Sequence, residues 1–211
     1  MTSPDSSQRD SIEGTSRRAL LRGLGAAPVV ASMIASPSVM AIAALNERYG
    51  DGPAILLRTK EGREISRRRY HSAEIEFYGI EGGFHGGRIR TTLHTAGSVA
   101  KLTLCAHLLD VGFPDPWNAE YIRQDISKVL AYANATGLGH DCPEMARLAV
   151  ILTPYYKWGY PHLIGDPPMD DGGFTADQVR SLIRALLERV HDVTGHTRPK
   201  GWERIQQEFR P

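Results

Sequence analysis

The stretch "HSAEIEFYGIEGGFHGGRIRTTLHT" (71–95) decides the fold. In its first ten residues Ile75, Phe77 and Tyr78 alternate with Glu74 and Glu76, near the two-residue period of a strand with one buried face. "EGGFHGG" (81–87) follows with four glycines, which hold neither helix nor strand cheaply and mark a loop. "RIRTTLHT" (88–95) then alternates again. The stretch predicts two strands joined across a glycine loop. Upstream, "PAILLRT" (53–59) reads as a further strand and "KEGR" (60–63) as a turn around Gly62. Together they predict a small N-terminal antiparallel sheet.

Downstream the period lengthens. "SVAKLTLCAHLLDVG" (98–112) sets Val99, Leu102, Cys105, Ala106 and Leu109 along one helical face and ends at Gly112. "DPWNAEYIRQDISKVLAYANATG" (115–137) offers Asp115 as N-cap, Pro116 at the first helical position, and a stripe of Ile122, Ile126, Val129 and Ala133. "DCPEMARLAVIL" (141–152) opens with Asp141 and Glu144 at capping-box spacing, and Thr153-Pro154 closes it. "FTADQVRSLIRALLERVHDVTG" (174–195) has Thr175 as cap and Gln178 at the box position. Its stripe is Val179, Leu182, Ile183, Leu186, Leu187 and Val190. The expected fold class is α+β and α-rich, the small sheet lying with about four helices in one domain over residues 45–211.

The N-terminus is of another character. "TSRRALLRGLGAAPVVASMIASPSVMAIAAL" (15–45) pairs Arg17 with Arg18, and no charged residue occurs from Gly23 to Leu45. A charged front, an apolar middle and a small-residue end make the layout of a signal peptide. Ser16-Arg17-Arg18-Ala19-Leu20-Leu21-Arg22 resembles the twin-arginine translocation motif. The resemblance covers about the first fifth of the chain. It implies the twin-arginine export machinery as a partner, a periplasmic location and removal of residues 1–44. Two alternatives stand beside it: a retained membrane anchor, disfavoured by Pro28 and Pro37, and a cytoplasmic protein whose apolar N-terminus belongs to the fold.

A formal net charge of +1 leaves no global field to attract nucleic acid or acidic membranes. The basic run "REISRRRYH" (63–71) is balanced by nearby acids and reads as a charged edge, so nucleic acid is not expected as a partner. No second apolar stretch is long enough to cross a bilayer, so the mature part is expected not to span a membrane. The two cysteines, Cys105 and Cys142, are a candidate disulfide in an oxidising compartment and two thiols in a reducing one. Their spacing matches no zinc motif, and no metal site is expected.

The eight histidines show no HExxH or similar ligand spacing. His85 and Arg88 in the glycine loop, with His140 and His162, are the candidate catalytic set, brought together by folding. His140 also sits where Asp141 and Glu144 explain the local sequence as a helix start. "DPPMDDGG" (166–173) lacks the spacing of a calcium loop and reads as a solvated turn. In "PYYKWGYPH" (154–162), Tyr155, Tyr156, Trp158 and Tyr160 read as an aromatic loop, either pinning itself to the domain or stacking on a small ligand or protein partner. No GxSxG or SxxK nucleophile motif occurs. The leading expectation is an exported binding or accessory protein, for instance a small subunit of a periplasmic enzyme, with a His-based periplasmic enzyme as the alternative. No cofactor is indicated.

Overall fold

The computed structural model describes residues 37–83, 87–158 and 170–199. Among these residues no strand occurs and 74% are helical, which overturns the expected antiparallel sheet. The fold is helical. Residues 71–80 lie inside α2 (Lys60–Glu81), which buries Ser66, Tyr70, Ala73, Phe77 and Ile80 at spacings of three and four. Ile75, an inward position in the strand reading, is 61% exposed. The short alternation is a fragment of the longer helical period, with Glu74 on the buried side. "KEGR" forms the first turn of α2, where Thr59 Oγ1 accepts from Gly62 N at 2.9 Å. "RIRTTLHT" opens α3 (Ile89–Val111). Residues 53–59 belong to neither helix nor strand, with Leu57 N–H donating to Gly112 O at 3.0 Å.

α3 is the centre of the molecule. Thr103 to Asp110 are buried without interruption, so α3 has neighbours on nearly every side. α2 lies antiparallel to it: Ser66 Oγ donates to Ala106 O at one level, and Arg63 Nη1 approaches Asp110 Oδ1 at 3.3 Å at the next. The remaining sides are covered by α4 (Ile126–Ala135), α5 (Pro143–Trp158) and α6 (Ala176–Thr194). α3 ends at Gly112, whose φ of 110° suits glycine; an added Cβ would also lie 2.8 Å from Leu57 N. In α6 the expected capping box of Thr175 and Gln178 is present in both directions, and the expected stripe faces the core.

Two expected helices differ in outline. The segment 115–137 is not one helix: a single turn (Asp115–Trp117) passes into a π-turn (Asn118–Ile122), and the chain breaks at Arg123 with φ 46°. Asp125 restarts it as N-cap of α4, its Oδ1 accepting from Lys128 N at 2.8 Å. Asp115, the expected cap, instead meets Arg69 at 2.6 Å. α5 does not stop at Thr153-Pro154 but continues through Pro154 to Trp158. Proline removes one ladder bond there, and Tyr155, fully buried just beyond it, anchors the continuing turn in the core.

The first described helix, α1 (Pro37–Tyr49), seats Ile42 in the core with Leu45 and Tyr49 against it, leaving Val39 and Met40 exposed. The end of the expected leader, residue 44, falls within this helix, and the twin-arginine residues lie outside the described part. No helix among the described residues is long and apolar enough to cross a membrane.

Candidate functional site

The break between the π-turn and α4 opens a groove of about 800 Å³. Its lining comes from α1 (Tyr49), the π-turn and break (Ala119, Tyr121, Ile122, Arg123, Gln124), the start of α4 (Asp125, Lys128) and α5 (Thr153, Tyr156). That volume falls within the range of small-molecule sites. Three partly exposed tyrosines from three segments line it, each with an apolar ring face and a polar tip.

One wall is held rigidly. Lys128 Nζ donates to Asp51 Oδ1 at 2.6 Å and to Tyr121 O at 2.8 Å, and lies 5.0 Å from the Tyr49 ring centroid. Tyr132 Oη lies 2.7 Å from both Asp51 Oδ2 and Asn46 Oδ1, and burial with the Asp51 carboxylate raises its pKa. Trp117 Nε1 donates to Gly52 O at 2.9 Å, tying the loop after α1 to the turn before the break. At the other wall Ile126 N donates to Thr153 Oγ1 at 3.1 Å, joining α4 to α5. Arg123 stands at the rim in a backbone region that a side chain adopts at a cost, and its Nε donates to Glu120 O at 2.9 Å. π-turns and non-glycine residues with positive φ recur at functional sites, and here they adjoin.

A polar layer lies beneath. Gly97 on α3 is roofed by Tyr156, whose Cβ would sit 3.2 Å from an added Cβ. Lys101 follows one helical turn later on the same face, with Cys105 a turn beyond. Lys101 is 7% exposed, and no oxygen or nitrogen accepts from its Nζ, which lies beside the weakly accepting Cys105 thiol. Burial lowers its pKa, only partly offset by the Cys105 thiol and the Asp125 carboxylate, while the Arg69 charge pushes the same way as burial. Asn118, at the head of the π-turn, is buried with neither amide atom partnered. Buried side-chain atoms without partners also occur away from this groove, at His107, Asp110, His140 and Arg180.

The expected site residues do not assemble. Arg88 is exposed and precedes α3, whereas His140 lies between α4 and α5 with its backbone N donating to Asn134 Oδ1 at 3.0 Å. Burial and Arg189 lower the His140 pKa, and no hydrogen bond or ion pair joins His140 to Arg88 among the described residues. His85, His162 and Tyr160 lie outside the described residues. Of the aromatic set, Tyr155 is in the core and not in a loop, Tyr156 lines the groove, and Trp158 ends α5. Cys105 and Cys142 are free thiols: Cys105 is buried in α3, and Cys142 Sγ lies 3.4 Å from Glu144 Oε2. No cluster of three metal-ligating side chains occurs among the described residues.

Ser66, His196 and Asp110 have the composition of a nucleophilic triad but not its geometry. Ser66 Oγ gives its proton to Ala106 O at 2.5 Å, so His196 Nε2–H must donate to Ser66 Oγ at 2.6 Å. Asp110 lies 3.8 Å from that same nitrogen, not from the opposite side of the ring. The cluster instead fastens the segment after α6 onto α2, aided by His71 on Thr197 O at 2.8 Å.

Sequence reasoning reached Tyr156 but missed Tyr49, Tyr121, Arg123 and Lys101. No protein-family model, no curated protein and no solved structure matches the chain.

Proposed function

We propose that the chain is a binding protein, exported by the twin-arginine route, that holds a small ring-bearing molecule in the groove between α1, the π-turn and α5. The observation that carries this reading is the convergence of Tyr49, Tyr121 and Tyr156, from three separate segments, on a concavity of about 800 Å³. Tyrosine rings offer stacking surface at low conformational cost, and their hydroxyls fix orientation. Arg17 and Arg18 before the uncharged run support export.

The test is a thermal-shift screen of the periplasmic protein against ring compounds, with Tyr156→Ala and Tyr121→Ala alongside. Compounds that raise Tm in the wild type and fail in both variants are expected. Compounds acting equally on all three proteins, or no responding compound at all, would overturn the assignment of the groove.

A further inference from the structure

We infer that the ligand of this groove is a neutral saccharide, a ring whose hydroxyls meet Arg123, Gln124 and Asp125 while its apolar face lies against the tyrosines. The inference rests on the reading of the groove as a binding site and adds the chemical class of what it takes.

The break in the chain supplies the polar half of the site. Arg123, Gln124 and Asp125 are consecutive, and all three line the groove. Within a helix, residues adjacent in sequence point about 100° apart and do not share a face. Here the positive φ of Arg123 ends the π-turn, and Asp125 is extended before α4 begins. One groove thereby receives three successive planar polar groups.

Each keeps hydrogen-bonding capacity. Arg123 spends Nε on the Glu120 carbonyl, and among the described residues nothing engages its terminal nitrogens. Asp125 spends Oδ1 on the cap of α4, which leaves Oδ2 to accept. Gln124 is exposed, and its amide both donates and accepts. Neighbouring hydroxyls on a sugar ring, each a donor and an acceptor, match such paired atoms.

Charge decides between ligands. Arg123 and Asp125 offset one another across Gln124, and Lys128 is paired with Asp51 at 2.6 Å, so the lining has no net charge. An ionised ligand would find no counter-charge in place of its lost hydration. A ring without hydroxyls would stack on the tyrosines but cover the Arg123 and Asp125 heads unpartnered. A saccharide offers an apolar C–H face to the rings and hydroxyls to the polar heads.

The experiment measures binding to the full-length protein by calorimetry. The probes are the methyl pyranosides of glucose, galactose and mannose, tetrahydropyran as a ring without hydroxyls, and para-cresol as an aromatic ring. At least one pyranoside should bind, with tetrahydropyran about tenfold weaker or more. Gln124→Ala, and Asp125→Asn, which keeps a capping oxygen, should each weaken that pyranoside about tenfold. The uronate of the same sugar should bind the wild type less well than the neutral pyranoside. In Asp125→Asn, where Arg123 is left unbalanced, the uronate should become the tighter of the two, a reversal that a damaged fold does not produce. A uronate preferred by the wild type, or pyranoside binding unmoved by both variants, overturns the neutral-saccharide class. Para-cresol binding that Tyr156→Ala abolishes, with no pyranoside bound, also overturns it and leaves the groove assignment standing. No probe bound, or binding unmoved by Tyr156→Ala, removes the groove assignment and this inference with it.

Discussion

Replacing Lys101 by methionine should make the protein more stable. The wild-type side chain is 7% exposed, and no oxygen or nitrogen accepts from Nζ, which has only the weakly accepting Cys105 thiol beside it. A buried group left unsatisfied costs about 1–3 kcal/mol, more when charged. Methionine keeps the unbranched shape and most of the volume while removing the ammonium, and shape-conserving core substitutions cost little. A gain of about 2 kcal/mol is therefore expected, which at a urea m-value of about 2 kcal/mol/M moves the midpoint up by about 1 M. The pH dependence gives a second signature. The folded pKa of Lys101 is below its unfolded value, so between the two the unfolded chain binds more protons and stability rises with pH. The wild type should thus regain stability as pH climbs toward about 10.4, the ordinary lysine value, and Lys101→Met should lack that rise. Urea unfolding followed by circular dichroism from pH 7 to 10 measures both. A variant less stable than the wild type at pH 7, or one keeping the alkaline rise, would refute the account of Lys101 as a buried, unsatisfied cation.

Two further substitutions test the neighbouring features. Arg123→Gly should raise stability by about 1 kcal/mol, since glycine adopts a positive φ without the side-chain penalty; a lowered Tm would show that the Arg123 side chain outweighs its backbone cost. His107 is buried, and its Nε2–H donates to Thr136 Oγ1 at 3.2 Å, because that hydroxyl's own proton is directed to the Tyr132 or Ala133 carbonyl. Nδ1 is then bare and unpartnered, and burial lowers the His107 pKa from 6.5 to about 4. The unfolded chain takes up this proton first, so the stability present above pH 6.5 is lost as pH falls toward 4, by about 3 kcal/mol in all. His107→Gln should flatten that acid limb in urea melts between pH 7 and 4; an unchanged limb would assign the effect to other groups, beginning with His196, whose pKa burial also lowers.

How much of this was legible in the sequence depends on whether neighbours along the chain or neighbours in space set each feature. α6 could be read almost residue by residue: its cap, box, stripe and glycine stop are local interactions within one helix. The end of α3 at Gly112 was legible for the same reason, since a left-handed C-cap favours glycine whatever surrounds it. The sheet was misread because α2 buries a tyrosine, a serine and a glutamate on the face where an apolar stripe was sought. Glu74 is tolerated inside because Tyr70 donates to it at 2.6 Å, and Arg184 and Arg198, from the far end of the chain, reach it at 3.1 and 3.5 Å. No window of α2 contains those arginines. The groove is non-local in the same way. The break at Arg123 is fixed by packing between the aromatic cluster around Trp117 and the capped start of α4, and Tyr49, Tyr121 and Tyr156 meet only when α1 and α5 dock on either side. The sequence by itself determined the helix ends and the apolar stripe of α6, which obey short-range sterics and hydrogen bonding. Only the tertiary structure decided which polar residues lie inside, and where three distant tyrosines line one groove, because both depend on partners far apart in the chain.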